Sequence, residues 1–329
     1  MDIKVSVVIP VKKINDYIRE SLAHMNTIDF DKSRLEVLVL PDDGEKPEGD
    51  YLFDVRIIKT GHIPPGDKRD IGIKEARGEI VAFIDDDVFP SKTWMKRAVE
   101  IFEADENAAA AAGPAVTPCN DSFMRKVSGY IYSSFLGGGA YFYRYFPAKA
   151  REVDDYPSCN LIVRKNVLDK IGGFNTEFWP GEDTVICLKI IRDLKMKIIY
   201  DPDVLVYHHR REFPKGHLKQ VKSYAEHRGY FVKRFPKTSL KVSYFMPSFF
   251  VMYLLSFVYP LLFSGDILLI WSVPLFLYLL ALAADAIRGK KLKYAFFTAA
   301  GIFMTHLYYG VYFLKGIFAP RLREEVNNK

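Results

Sequence analysis

The sequence predicts an α/β fold, a mostly parallel sheet with helices on both faces, followed by an all-α transmembrane segment. Three observations predict it. Over the first two-thirds of the chain, short apolar runs of strand length alternate with helical periods, the order that builds a parallel sheet with crossover helices. Two of the apolar runs, Leu35–Leu40 and Ile80–Ile84, end in acidic clusters, and parallel strands bring such ends to one edge of the sheet. The last third instead holds three long runs without Asp, Glu, Lys or Arg.

Length and charge bound the reading further. A chain of 329 residues makes one large or two ordinary domains. Its net charge is +6, and the basic residues thicken between Arg210 and Lys241, just before the apolar third. That placement fits an anionic membrane surface and speaks against a nucleic-acid partner. Cys119, Cys159 and Cys187 are widely spaced and form no zinc pattern, so they read as free thiols in a reducing compartment. Val5–Val11 is strand-like and lacks the flanks and cleavage site of a signal peptide. The chain shows no internal repeat.

The elements follow in order. Val5–Val11 is a buried first strand, and Asn15–Met25 a helix with Tyr17, Ile18, Leu22 and Met25 on one side. Leu35–Leu40 is a second strand stopped by Pro41, with Asp42, Asp43 and Gly44 after it; residues 55–59 form a third. A proline-containing loop over Gly61–Gly66 leads to a helix over Asp67–Arg77, closed by Gly78. Ile80–Ile84 is apolar throughout, the mark of a strand buried on both faces, and runs into Asp85, Asp86 and Asp87. Ser91 caps a helix carrying Trp94, Ala98, Ile101 and Phe102 at helical spacing. Residues 108–115 are the next strand. Residues 119–157, rich in Tyr and Phe with three glycines at 137–139, read either as a helix plus a mobile segment near the site or as a surface excursion packed by its own aromatics. Strands over residues 158–164, 198–200 and 204–207 and helices over Asn166–Ile171 and Thr184–Leu194 complete this part.

Three clusters carry possible chemistry. Three carboxylates at one strand end repel unless a cation sits among them, and a hard divalent ion such as Mg2+ or Mn2+ would meet that need; the other reading is a solvated turn that caps the next helix. Glu182 and Asp183 open a helix, as capping groups or as a carboxylate held for general-base work. His208, His209, Arg210 and Arg211 suit a metal and a phosphate, or form a plain basic turn.

Taken together and in this order, several motifs resemble glycosyltransferase family 2, whose fold is called GT-A. They are Val-Ser-Val-Val-Ile-Pro at 5–10, Asp-Asp-Gly at 42–44, Lys-Arg-Asp-Ile-Gly-Ile at 68–73, and Gly-Glu-Ile-Val-Ala-Phe-Ile-Asp-Asp-Asp at 78–87. Gly-Gly-Phe at 172–174, Gly-Glu-Asp at 181–183 and Tyr-His-His at 207–209 follow. The resemblance implies transfer of a sugar from a UDP- or GDP-linked donor with inversion at the anomeric carbon. It implies that Pro10, Asp42, Asp43 and Arg69 lie at the nucleotide, with Asp85 and Asp86 also on the donor side. Asp85 and Asp87 match the Asp-X-Asp motif that holds Mg2+ or Mn2+, with His208 a further ligand or a diphosphate contact. Asp183 matches the catalytic base, and Glu182 and Trp179 fall on the acceptor side. Two departures are visible: Pro41 precedes the first acidic turn, and the Gln-X-X-Arg-Trp motif of processive members is absent. Its nearest analogue is His227-Arg228-Gly229-Tyr230, which implies single sugar addition and makes Arg228 a candidate diphosphate contact.

The apolar third is read independently. Val242–Phe263, Ile267–Ala284 and Tyr294–Leu314 are each about 18–22 residues, near the length of a bilayer-crossing helix; a buried helical core domain is the alternative. Lys233, Arg234, Lys237 and Lys241 precede the first run, and Arg288, Lys290, Lys291 and Lys293 join the second to the third. The positive-inside rule puts both stretches and the catalytic domain on the cytoplasmic side of a multi-pass cell-membrane protein. Arg321 and Arg323 beside Glu324 and Glu325 leave open whether the third run crosses or re-enters. His306 within it is either a tolerated imidazole or a contact for a lipid phosphate. The expected layout is a GT-A catalytic domain over 1–212, a basic juxtamembrane segment over 213–241, a transmembrane region of about three helices over 242–318, and a polar tail over 319–329. An anchor next to an active site suggests a lipid-linked acceptor, a polyprenyl phosphate or a lipid-linked glycan. Two other activities are compatible with parts of this pattern: a nucleotide-sugar-binding membrane subunit without turnover, and nucleotidyl transfer onto a sugar phosphate. Asp87 and Asp183 speak against the first, and the second leaves Gly-Glu-Asp without a role.

Overall fold

The computed structural model describes residues 3–176, 178, 180–263, 265–288 and 292–322. They group into two compact units, one of residues up to Val116 with Phe146–His209, the other of Thr117–Tyr145 with the chain from Arg210 onward. In chain order the elements are β1 (Val5–Pro10), α1 (Asp16–Met25), β2 (Leu35–Leu40), β3 (Asp54–Ile57), α2 (Pro65–Glu75), β4 (Ile80–Ile84), β5 (Val88–Pro90), α3 (Trp94–Ala104), β6 (Ala108–Ala112) and β7 (Ala115–Val116). The second unit takes α4 (Phe123–Ser133) and α5 (Phe135–Gly138); the first resumes with β8 (Arg151–Val153), β9 (Asn160–Arg164), α6 (Lys165–Ile171), α7 (Glu182–Arg192), β10 (Lys197–Tyr200) and β11 (Val206–His208). The chain ends with α8 (Lys215–Arg234), α9 (Pro236–Ser239), α10 (Val242–Ser256), α11 (Val258–Phe263), α12 (Gly265–Ile287) and α13 (Leu292–Phe318).

The first unit is built on an eight-stranded sheet of order β3-β2-β1-β4-β9-β6-β10-β8. β1 pairs in parallel with β2 on one side and β4 on the other, so strand order reverses beside β1 and the carboxyl ends of all three strands share one edge. That is where an open α/β sheet leaves a crevice. The sheet is mixed: β9 runs antiparallel to both β4 and β6, and β8 antiparallel to β10. The antiparallel β9 sets Asn160 opposite Ile84. There its side chain accepts from Trp94 Nε1 at 2.8 Å and donates to Gly113 O and Val204 O, both at 2.7 Å. Five alanines form β6 despite their helix preference, because the strand is central and α3 packs on it. A small second sheet, β5-β11-β7, completes the edge.

Three expected boundaries shift. α2 starts at Pro65 and is over by Ala76, whose backbone is extended, so Gly78 is not its cap. Gly78 is required by packing instead: a Cβ there would lie 2.7 Å from Ser6 N and 2.8 Å from Val5 C. Ser91 does not cap α3, which begins after Thr93 with no side-chain cap; Thr93 Oγ1 donates to Asp203 O at 3.1 Å. α7 begins at Glu182 rather than Thr184, which moves both acids into its first turn.

In the second unit, α4 is capped by Ser122 and packs against α13 through Ile131 and Ile302. α8 and α13 cross closely at glycines: a Cβ on Gly229 would lie 2.1 Å from Phe313 O, and one on Gly316 2.0 Å from Glu226 O. The basic stretch ahead of the apolar third is therefore a helix with a buried face, on which His217 lies between Ser128 Oγ at 2.8 Å and Thr305 Oγ1 at 3.0 Å. Burial pushes the His217 imidazole down to about 3, with Arg210 adding to the effect. Among the described residues two helical stretches are long and apolar enough to cross a membrane, Val242–Leu262 and Ile267–Ile287, and few residues of either are fully buried. The third apolar run lies in α13, which buries Thr298, Gly301, Ile302, Thr305 and Phe313. His306 there donates from Nε2 to Leu136 O at 2.9 Å and meets the Tyr278 hydroxyl at Nδ1, also at 2.9 Å. Lys290, Lys291 and Arg323–Glu325 lie outside the described residues.

Glu36 is a fully buried carboxylate inside β2. It accepts from Ser6 Oγ at 2.6 Å, from Arg77 N and Nε at 2.7 Å each, and from Arg56 Nη1 at 3.1 Å. Burial alone would raise its pKa, but these donors outweigh burial and hold it below the ordinary 4.5. The folded state thus binds this proton less readily than the unfolded chain. The stabilisation is complete above the ordinary value and is lost as pH falls through the depressed one. Glu36→Ala, which strands Arg77 and Arg56, should cost about 2–3 kcal/mol. Melting temperature followed from pH 7 downward should fall less steeply in the variant than in the wild type; parallel curves would remove Glu36 as the cause.

Candidate active site

β4 ends at Ile84, and the chain turns through Asp85, Asp86 and Asp87 into β5, closed by Val88 N donating to Asp85 O at 3.2 Å. β5 pairs with β11 so that His208 lies opposite Val88. This brings His208 Nε2 to 3.1 Å from Asp87 Oδ1. One ligand atom each from Asp85, Asp87 and His208 lie within 4.8 Å of one another, the one such group of three among the described residues. Two carboxylates and an imidazole are a donor set that suits Mg2+ and, with its nitrogen, Mn2+. The residues present therefore fit the expected cation. Asp86 turns away from this group to Asn15, whose Nδ2 donates to its Oδ2 at 3.3 Å while the Asn15 Oδ1 caps α1 through Ile18 N.

The acid edge has an internal counter-ion. Arg69, on α2 and 3% exposed, donates from Nη2 to Asp85 Oδ1 at 2.7 Å and from Nη1 to Glu182 Oε1 at 2.8 Å. Burial works against the guanidinium charge, but Asp85, Glu182 and Asp183 outweigh it and raise its pKa. Phe174 lies against the guanidinium with its ring centre 5.5 Å from Cζ. Both forked ends of Arg69 are thus engaged by protein carboxylates. Glu182, expected on the acceptor side, is buried and spent on Arg69 and on Gly181 N at 3.0 Å. Asp183 in the same helical turn is half-buried, with its Oδ1 2.8 Å from Thr184 N. Trp179 lies outside the described residues.

The neighbouring strand ends form the second half of the edge. Pro10 closes β1 opposite Leu40 at the end of β2. Lys68, also on α2 and 2% exposed, donates to Val11 O at 2.6 Å, to Leu40 O at 3.0 Å and to the Asp42 carboxylate. The other Asp42 oxygen meets His62 Nδ1 at 3.0 Å. Lys68 and, less strongly, His62 hold the Asp42 carboxyl below the usual range against the effect of burial. Asp43 is exposed and accepts from Glu45 N at 3.2 Å. Arg228 belongs to the second unit, where its guanidinium lies 4.9 Å from the Tyr244 ring centre and 3.4 Å from Ser239 Oγ.

Sequence reasoning misses Lys68 and Asp70. The Lys-Arg-Asp run is visible as a motif, yet only Arg69 stands out within it. Asp70 accepts from Phe174 N at 2.7 Å and Asn175 N at 2.9 Å, and a Cβ on Gly173 would lie 2.4 Å from its Oδ1. The Gly-Gly-Phe turn is thus shaped by its fit to Asp70. Consecutive charges within a predicted helix, on the side that must face the sheet, are the signal that could find them.

The family described as Glycosyl transferase family 2 matches residues 6–172. Over 300 residues the chain is 23% identical to the dolichyl N-acetyl-alpha-D-glucosaminyl phosphate 3-beta-D-2,3-diacetamido-2,3-dideoxy-beta-D-glucuronosyltransferase of Methanococcus voltae, covering 86% of this chain and 87% of that protein. It is 26% identical to the glycosyltransferase AglE of Haloferax volcanii over 66% of this chain and 71% of that one. The chain spans about half the length of other curated relatives, 57% and 43% of two of them. In structure it is similar to the mannosyltransferase PcManGT of Pyrobaculum calidifontis, solved with GDP-Man and Mn2+: TM-score 0.55 at 18% identity, covering 97% of this chain and 88% of that one.

The Arg69 bridge makes a direct prediction. Arg69→Leu leaves Glu182 buried without its partner and should cost about 3–5 kcal/mol. Arg69→Lys should recover only part of that, because an ammonium cannot reach two carboxylates as a fork does. Thermal melting of the purified chain in detergent measures both; a leucine variant that melts with the wild type would show that the bridge contributes nothing.

Proposed function

The chain belongs to glycosyltransferase family 2, and from that premise we propose an inverting, divalent-cation-dependent enzyme that moves a single sugar from a UDP- or GDP-linked donor to a lipid-linked acceptor. The observation that carries this reading is the Arg69 bridge: it ties Asp85 of the cation-binding group to the first turn of α7, which carries Asp183. Donor-side and acceptor-side carboxylates are thereby held in one frame.

The roles follow from position and chemistry. Asp42, fixed by Lys68, offers a carboxylate oxygen to an N–H of the nucleotide base, with Pro10 and Asp43 beside it. Asp85, Asp87 and His208 would hold Mg2+ or Mn2+, which when bound supplies positive charge to the leaving diphosphate. Asp183 takes the proton of the acceptor hydroxyl as that oxygen attacks. Glu182 is not available as a nucleophile, being buried and paired with Arg69. A single displacement, with inversion, is the course that leaves each acid its observed partner.

A lipid-linked sugar hydroxyl is the acceptor class favoured. A polyprenyl phosphate is already ionised and needs no base, whereas a hydroxyl does. The Methanococcus voltae relative, named for transfer to position 3 of a dolichyl-phosphate-linked sugar, supports the hydroxyl reading. The two exposed apolar helical stretches supply an anchor. Lys233, Arg234, Lys237 and Lys241 before the first, with Arg288 and three lysines after the second, orient the catalytic unit to the cytoplasmic face of a multi-pass protein.

The test is nucleotide release by the purified chain in detergent, with a panel of UDP- and GDP-sugars, Mn2+ and a membrane lipid extract. Release should require the extract and should stop on addition of EDTA. Asp183→Asn should lower turnover by about 10²–10⁴-fold while nucleotide binding stays within about twofold. A loss of less than about tenfold would discard the hydroxyl acceptor and its base.

A further inference from the structure

The cation-binding group is assembled from distant parts of the chain, and His208 arrives on the short strand β11. β11 pairs through three residues only, the last of them His208 itself, so the orientation of His208 also depends on how the next residue is held. That residue, His209, is fixed from two directions. Its backbone N–H donates to Asp87 O at 3.0 Å. Its imidazole, 8% exposed, donates from Nε2 to Glu20 Oε2 at 2.8 Å. Tyr17 lies against the same ring with centroids 4.7 Å apart, and Phe89 at 5.6 Å. Tyr17 and Glu20 are one turn apart on α1, so both reach His209 from one helix face.

In extended backbone successive side chains point to opposite faces. A His209 ring held against α1 therefore sets the roll of the peptide between the two histidines and turns His208 toward Asp87. α1 also reaches the acidic turn at its N-cap, where Asn15 donates to Asp86. We propose that Glu20 is a positioning residue for the cation site: through His209 it fixes His208 against Asp87 and so sets the affinity for the divalent ion. The inference rests on the cation reading given above for Asp85, Asp87 and His208.

The experiment titrates the purified full chain with Mn2+ alone, without donor or acceptor, and follows free Mn2+ by electron paramagnetic resonance. Glu20→Ala is a mild change on a partly exposed helix position, since alanine is the best helix former. Loss of a group bonded directly to a ligand costs about 10–100-fold in metal affinity; Glu20 acts one residue further out, and a loss at the lower end, about 10-fold, is expected for Glu20→Ala. Glu20→Gln keeps an oxygen that accepts from His209 and should bind within about threefold of the wild type. If Glu20→Gln is as weak as Glu20→Ala, carboxylate charge rather than position sets the affinity and the inference is overturned. It is also overturned, alone, if Glu20→Ala binds like the wild type while Asp87→Asn loses binding. If Asp87→Asn too binds like the wild type, the cation reading itself fails and takes the inference with it.

Discussion

One buried guanidinium makes the acidic edge of this sheet possible. Asp85, Asp86, Asp87, Glu182 and Asp183 are all supplied to that edge, and Glu182 is buried. Two like charges about 4 Å apart repel by about 4 kcal/mol at the effective dielectric of a protein surface, so such a cluster is unstable by itself. Arg69 answers with geometry as well as charge. Its planar fork reaches a β-turn carboxylate with one nitrogen and a helix carboxylate with the other, 113 residues away in sequence. A lysine there would satisfy one partner and leave the other to repel. The spacing between the acidic turn and the start of α7 is set by this bridge.

The bridge in turn depends on α2, which has an unusual inward face. Lys68, Arg69 and Asp70 are consecutive, so their side chains leave the helix about 100° apart and serve three different places. Lys68 staples the ends of β1 and β2, Arg69 joins the acidic turn to α7, and Asp70 holds the backbone at Phe174 and Asn175. The close fit at Gly72, where a Cβ would lie 2.4 Å from Val8 Cγ1, seats the helix on β1. A single turn of helix thereby registers two strand ends, an acidic turn and a loop. The cost is that α2 buries two cations where an ordinary helix would bury leucines.

That exchange explains what is legible in the sequence. Strands β1, β2 and β4 can be read because burial on both faces leaves them almost wholly apolar, interrupted only by Ser6 and Glu36. The acids at Asp42 and Asp85–Asp87 can be read because strand ends are local. The pattern places α2 late at both ends, because its inward side is polar and its periodicity is weak. The antiparallel course of β9 is invisible: pairing direction is settled by neighbours far away, here by the seat that Asn160 finds between Gly113 and Val204. The meeting of His208 with Asp87 depends on the β5–β11 pairing, so a motif can suggest it while local pattern cannot require it. The grouping of Thr117–Tyr145 with the C-terminal helices is equally beyond local pattern, since aromatic residues signal burial without naming the surface they are buried against.

The two acids of Gly-Glu-Asp show how neighbouring identical chemistry acquires different uses. Gly181, with φ of +120°, lets the chain turn sharply into α7, and Glu182 and Asp183 then leave the first turn in different directions. Glu182 goes inward. It has one oxygen on Arg69 and the other on Gly181 N, so both oxygens are engaged within the protein. Asp183 remains half-exposed at the same helix end, on the same rigid frame. A proton acceptor must be reachable, and a structural anchor must not be. Burial separates the two: Glu182 is the anchor, and Asp183, left reachable, is the one that can serve as the proposed proton acceptor. Exchanging them, as Glu182→Asp with Asp183→Glu, would preserve charge yet leave the shorter side chain short of Arg69. The double variant should therefore lose the bridge and the turnover together, although each carboxylate is still present.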